Sequence, residues 1–286
     1  MRDLEAAPED PLVERLRAAG CVFAEDEARL LRERAAGDDE LLERLARRRI
    51  GGEPLEPLIG WVDFGGRRLR VDPGCFVPRQ RSLLLADTAI REVRRIRAAR
   101  AARDGGHGTP GDRTVVFLEA FAGVAPIAAS VEAAPATETG TPGTAILACE
   151  RDDRAREAAR ANLGPGARLF GGEVLAGLPD SLAGGIDVIA AVPPYVPRGE
   201  LAELPREAVD YEPPEALIAG EDGLDRVREL IAQSPAWLAP GGVLLVEMHR
   251  TQAETAEGVA DLAGFSSEAV RGDDGQTIVL RLALRA

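Results

Sequence analysis

Ile186-Asp187-Val188-Ile189-Ala190-Ala191 runs straight into Val192-Pro193-Pro194-Tyr195-Val196-Pro197. A short apolar run closed by prolines reads as a buried strand, and the prolines after it make a stiff shelf that fixes the Tyr195 ring. Similar runs lie at Thr114 to Leu118, Thr144 to Cys149 and Gly242 to Glu247, with helix-length stretches between them. That alternation predicts a parallel sheet with helices on both faces. Ser266 to Arg271 and Thr277 to Leu284 flank Gly272-Asp273-Asp274-Gly275, which leaves no room for a crossover helix, so the chain should end in an antiparallel hairpin. The predicted fold class is α/β, a doubly wound sheet ending in an antiparallel edge.

Towards the N-terminus the pattern changes to short helices. Asp10-Pro11 is an N-cap followed by proline at the first helical position, and Gly20 closes that run. Glu25 to Ala36 and Asp39 to Ile50 carry apolar residues at helical spacing before Gly37 and Gly51-Gly52. Trp61 to Phe64 and Arg67 to Val71 alternate around Gly65-Gly66, which predicts a β-hairpin. The expected division is a helical unit over 1–56, a hairpin linker over 57–78 and the sheet unit over 79–286. Ser82 to Arg103 forms a long helix with six arginines around a thin apolar stripe, read as a solvated face.

Composition narrows the function classes. The 286 residues are 45% hydrophobic and 29% charged, a globular mixture, with a formal charge of -13 that disfavours a broad grip on nucleic acid. Every basic side chain is arginine, which removes Schiff-base chemistry and a lysine phosphate loop. Cys21, Cys75 and Cys149 are far apart, so neither a metal site nor a disulfide framework is expected. His107 sits in a glycine-rich loop, where a solvated ring is expected. With no long apolar run and no secretory pattern at Met1 to Glu5, the expectation is a cytoplasmic protein that makes no membrane contact.

Ligands of open parallel sheets bind outside the carboxyl ends of the strands. After the first strand stands Phe117-Leu118-Glu119-Ala120-Phe121-Ala122-Gly123, after the second Glu150, after the third Glu173, and after the fourth the proline shelf. Glu150 is placed to accept hydrogen bonds from ribose hydroxyls, and Glu173 to meet an adenine amino group.

At this level of detail the chain resembles the protein-(glutamine-N5) methyltransferases that modify class-1 peptide chain release factors. Gly52-Glu53-Pro54-Leu55, Val71-Asp72-Pro73-Gly74 and Val77-Pro78-Arg79 look like that family's interdomain linker. Val192-Pro193-Pro194-Tyr195 stands in place of its Asn-Pro-Pro-Tyr motif, followed in order by Tyr211-Glu212-Pro213, Gly223, Pro240-Gly241-Gly242 and Leu245-Val246-Glu247. The resemblance implies a class I methyltransferase fold, a doubly wound seven-stranded sheet with an antiparallel C-terminal strand, S-adenosylmethionine as cofactor, and a protein or small-molecule acceptor, a release factor among them. It assigns cofactor contacts to Phe117, Glu119, Phe121, Gly123, Glu150 and Glu173, and the catalytic shelf to Val192, Pro193, Pro194 and Tyr195.

Two departures fall on these positions. Phe117 stands where the resemblance puts the strand-ending Asp, with Glu119 as a substitute, and only Gly123 remains of the loop glycines, Phe121 putting a ring against the ligand. Val192 replaces the Asn whose amide orients the substrate glutamine, and losing one such contact costs on the order of 10²- to 10³-fold in rate. An amide restored at 192 has no evident partner and is expected to cost roughly 1 to 3 kcal/mol. The expected function is a methyltransferase-like protein impaired in or diverted from glutamine methylation. Two alternatives stay open: a repurposed biosynthetic enzyme using the same cleft, and a non-catalytic binding protein.

Overall fold

The computed structural model describes residues 10–103, 114–134 and 143–285; the loop carrying His107 lies outside them. Helices α1 (Pro11–Ala18), α2 (Ala24–Ala35), α3 (Asp39–Ile50) and α4 (Leu55–Ile59) come first. Asp10 caps α1 by accepting from the Leu12 amide at 3.0 Å, and Asp38 caps α3 through the Leu41 amide at 2.8 Å. These helices share a core of their own, built on Leu16, Ala28, Leu31, Leu45 and Ala46. Helix α4 was not predicted: one turn between Pro54 and Gly60 is too short to show a period.

Strands β1 (Trp61–Phe64) and β2 (Arg67–Arg70) form the expected antiparallel hairpin. Then follow α5 (Leu83–Arg103), β3 (Val115–Ala120), α6 (Pro126–Ala133), β4 (Thr144–Cys149), α7 (Asp153–Asn162), β5 (Arg168–Phe170) and β6 (Ile186–Ala191). The chain continues with α8 (Arg206–Tyr211), α9 (Pro214–Leu217), α10 (Asp225–Gln233), β7 (Leu238–His249), α11 (Ala253–Leu262), β8 (Phe265–Arg271) and β9 (Thr277–Leu284).

The main sheet has seven strands in the order β5-β4-β3-β6-β7-β9-β8. β3 to β7 are parallel, while β9 pairs antiparallel with both β7 and β8. The sheet is doubly wound, as the alternation of runs and helices predicted, with the antiparallel C-terminal strands that the resemblance implies. Apolar strands are stable here because both faces are covered: Phe117 and Val188 turn to the α5–α6 layer, and Leu118 and Ile189 to the α10–α11 layer. Each such side chain, fully buried, contributes about 1.5–3 kcal/mol.

β3 runs two residues past the predicted end at Leu118, and β7 begins at Leu238 rather than Gly242. The second difference has a local cause. Leu238 pairs with Ile186 and Val243 with Val188, so the strand absorbs Pro240-Gly241 as an irregularity. The arginines of α5 are structural in part: Arg100 pairs with buried Asp187 of β6, and Arg95 and Arg281 share Glu92. All three cysteines are buried and free. Among the described residues no helix is long and apolar enough to cross a membrane.

Candidate active site

The strand order reverses between β3 and β6, and the loops leaving these two strands diverge around a cleft at the carboxyl edge. The loop after β3 has an unusual backbone. Phe121, Gly123 and Ala125 have φ of +53°, +52° and +62°, the left-handed region at alternate positions. Only Gly123 adopts it without steric cost; a side chain there costs roughly 1–2 kcal/mol. The path is therefore that of a glycine cradle, kept although two of its three turning residues carry side chains.

Glu119 does not face the cleft. It is 2% exposed and accepts from the amides of Ile127 at 3.2 Å and Ala128 at 2.7 Å, at the head of α6. Burial pushes its carboxyl up to about 8 despite these two bonds, with Glu150 adding to the rise. Phe117, two residues earlier on the same strand face, is wholly buried in the core beside α5. Neither residue is brought to the cleft wall.

Glu150 follows β4 and sits on that wall. One carboxylate oxygen accepts from the Gly123 amide at 2.8 Å and the other from the Asp152 amide at 2.8 Å. Asp152 in turn caps α7 through the Arg154 amide at 2.8 Å. Glu173 is half exposed and held by Arg226 at 2.6 Å and Arg151 at 3.4 Å. It lines a separate recess of about 30 Å³ with Phe121, Glu150 and Pro194, room for little more than one water.

The shelf after β6 is clamped from below. The Val196 amide donates to the Leu217 carbonyl at 2.9 Å, and the Ala219 amide to the Val196 carbonyl at 3.1 Å. Gln252 donates from Nε2 to the carbonyls of Tyr195 at 2.9 Å and Asp222 at 3.1 Å. Gly223 makes this clamp possible: its φ is +74°, and a Cβ there would lie 2.2 Å from the Tyr195 carbonyl oxygen. The Tyr195 ring carries the Arg81 guanidinium 5.7 Å above its centroid, and burial raises its phenol.

Phe121, Gly123, Glu150, Val192, Pro193, Pro194 and Tyr195 thus line one cleft of about 1240 Å³, while Glu173 lines the small recess beside it. The sequence reading missed Arg79, Arg81 and Glu212 on the same wall. Glu212 is 4% exposed and accepts from Arg79 Nη2 at 2.6 and 2.7 Å and from the Val77 amide at 3.3 Å. Burial still raises its carboxyl above the ordinary value, against the pull of Arg79. The motifs Val77-Pro78-Arg79 and Tyr211-Glu212-Pro213 signalled both partners, but nothing in their spacing signalled the pair. Arg49 of α3 bridges Glu27 and Glu207 at 2.6 Å each and so ties the N-terminal helices to the cleft wall, assisted by Tyr211 donating to the Gly51 carbonyl at 3.3 Å.

These residues fit a nucleoside-bearing methyl donor. The left-handed cradle, a carboxylate at the end of β4 and a proline shelf across the switch point are all present, and the cleft volume exceeds that of such a ligand. Phe121 narrows the fit, because its ring lines both the cleft and the recess beside Glu173.

No family model matches the chain. It is 32% identical over 229 residues to the release factor glutamine methyltransferase of Deinococcus radiodurans, covering 79% of this chain and 72% of that protein. The corresponding enzyme of Mycolicibacterium smegmatis is 30% identical over 236 residues, covering 81% and 74%. A 4-amino-L-phenylalanine/4-methylamino-L-phenylalanine methyltransferase of Streptomyces pristinaespiralis is 34% identical over 207 residues; that match covers 70% of this chain and spans 63% of the relative's length. Among solved structures, the hMettl16 catalytic domain in complex with the MAT2A 3'UTR hairpin 6 superposes with a TM-score of 0.51 at 15% identity, covering 76% of each chain, which shows the fold alone. The identities to the two release factor enzymes, each over more than seven-tenths of the relative, establish that the chain belongs to the release factor glutamine methyltransferase family, whose cofactor is S-adenosylmethionine.

Proposed function

We propose that the chain methylates an acceptor nitrogen held on the Val192–Tyr195 shelf, with a cofactor site weaker than its fold would allow and an acceptor other than a release-factor glutamine. The observation that carries this reading is the convergence of Gly123, Glu150 and Val192–Tyr195 on one cleft at the switch point. S-adenosylmethionine, when bound, supplies an electrophilic methyl carbon on a sulfonium. Glu150 would hold its ribose through carboxylate lone pairs left over from its two backbone bonds. Pro193 and Pro194 keep the acceptor face rigid and dry, and Tyr195 supplies an aromatic wall. Val192 can neither donate nor accept, so this chain does not orient a glutamine amide at that position as the family motif would.

A small acceptor is favoured over a peptide glutamine by the apolar surface that Val192, Phe121 and Tyr195 give the cleft. The match to an aromatic-amine methyltransferase supports the same direction. The N-terminal helices, residues 1–56, with the hairpin linker of 57–78, serve in this reading as the acceptor-recognition unit, coupled to the wall by Arg49. Calorimetry with S-adenosylmethionine and S-adenosylhomocysteine tests it. Binding weaker than about 10 µM is expected; no binding at millimolar ligand would remove the methyltransferase reading.

A further inference from the structure

In the sheet register Ala191 of β6 stands beside Val246 of β7. Continued by one residue, that register would place Val192, the first residue past the end of β6, beside Glu247 of β7, at about the 5 Å spacing of neighbouring strands. They also share a face. Ala191 and Val246 turn to the α10–α11 layer, whereas Val192 packs on the α5 side and Glu247 reaches Ser82 just before α5.

Glu247 is 1% exposed. Its Oε1 accepts from Ser82 Oγ at 3.0 Å and lies 4.0 Å from Arg81 Nε, the arginine that stands over Tyr195. Its Oε2 is buried without a hydrogen-bond partner among the described residues. A buried carboxylate oxygen with no donor is costly, and such groups need a reason. The side chain best placed by register to supply a donor is that of residue 192, and valine has none.

We propose that Glu247 is the positioning residue of the acceptor shelf: Oε1 holds Ser82 and Arg81 against Tyr195, and Oε2 is the hydrogen-bond acceptor for a donor side chain at position 192. The inference rests on reading residues 192–195 as that shelf. In this chain the donor has gone and its receiver remains, so the amide expected from sequence alone to lack a partner at 192 has one waiting.

A double-mutant cycle in urea at pH 8 tests the pairing, with Val192→Asn and Glu247→Met made singly and together. The change that Val192→Asn makes in the folding equilibrium constant should be at least about tenfold more favourable with Glu247 present than in the Glu247→Met background. Equal effects in the two backgrounds overturn the pairing. Should Val192→Asn not fold, Val192→Thr, which places a hydroxyl at the same point with almost no change in volume, is put through the same cycle and read in the same way. Pairing should also move the pH-dependent step in stability that belongs to Glu247 to lower pH in Val192→Asn, which mere repacking would not do. Coupling accompanied by no change in S-adenosylmethionine-dependent methylation of a Gly-Gly-Gln peptide would uphold the pair and sink the shelf reading instead.

Discussion

The amide of Gly123 donates to Glu150 at 2.8 Å, so the one glycine left in the β3 loop is tied to the acid we propose as the ribose ligand. Loop and carboxylate hold each other in place. Glu150→Ala would leave the Gly123 and Asp152 amides without their acceptor, and each lost bond to a charged group is worth about 1.5–3 kcal/mol. We expect a loss of stability of that order together with loss of S-adenosylhomocysteine binding. Glu150→Gln, which keeps one acceptor oxygen, should recover part of both. Unchanged affinity in Glu150→Ala, measured by calorimetry, would show that the acid has no ligand role.

Phe121 offers the most direct route to a stronger cofactor site. Its backbone is left-handed, and it lines both the cleft and the recess at Glu173. Phe121→Gly relieves roughly 1–2 kcal/mol of backbone strain, which offsets part of the packing lost with the ring. Affinity for S-adenosylhomocysteine should rise about tenfold or more, equivalent to about 1.4 kcal/mol. Adding Phe117→Asp, which would restore the Asp that the resemblance puts there, should instead unfold the protein, because that side chain lies wholly in the core and an unpaired carboxylate there has no solvation. A folded double variant that binds more tightly than Phe121→Gly would restore Phe117 to the site.

The contrast between Phe117 and Phe121 marks where sequence reasoning ends. Strand runs, helix caps and the C-terminal hairpin are local patterns, and β9 was legible to the residue, as was α3. The shelf was legible because three prolines after a buried strand have a single meaning. The left-handed turns at Phe121 and Ala125 were not, since nothing in those side chains asks for φ above zero and the surrounding fold imposes it. The resemblance counts Phe117 as the strand-ending position, whereas β3 continues to Ala120 and the left-handed positions begin at Phe121. Contacts such as Arg49 with Glu207, 158 residues apart, leave no local trace.

Glu119 and Glu247 make stability fall as pH rises. Burial raises the first carboxyl to about 8 and the second to about 7, from an ordinary value of 4.5. The folded state therefore binds more protons than the unfolded chain above pH 4.5, and the slope of unfolding free energy with pH is negative there. The loss should begin near pH 4.5 and level off once each folded group ionises, near 7 for Glu247 and near 8 for Glu119. Glu247→Gln should remove the part of the slope that ends near pH 7 and Glu119→Gln the part that continues to near pH 8, at the expense of the acceptor bonds each makes. Urea midpoints measured from pH 5 to 9 check this, and a wild-type curve that rises over that range contradicts it.

The choice of acceptor turns on position 192. In the wild type the shelf presents valine, and methyl transfer to a peptide bearing Gly-Gly-Gln should be slow or undetectable, because nothing there turns the glutamine nitrogen towards the methyl carbon. Val192→Asn supplies that group, and in the pairing proposed above the unpartnered Glu247 Oε2 would fix its orientation. If the missing amide is the main defect, methylation of the peptide should increase by up to about 10²-fold, the scale of one preorganised polar contact in a transition state. Combining it with Phe121→Gly separates acceptor from cofactor: an effect of Val192→Asn that appears only with Phe121→Gly means the methyl donor was limiting. An aromatic amine should behave in the opposite sense, losing turnover when the apolar contact with Val192 becomes polar. Mass-spectrometric detection of methylated peptide by the wild type at a rate equal to Val192→Asn would mean that valine at 192 has not diverted the chain from glutamine at all.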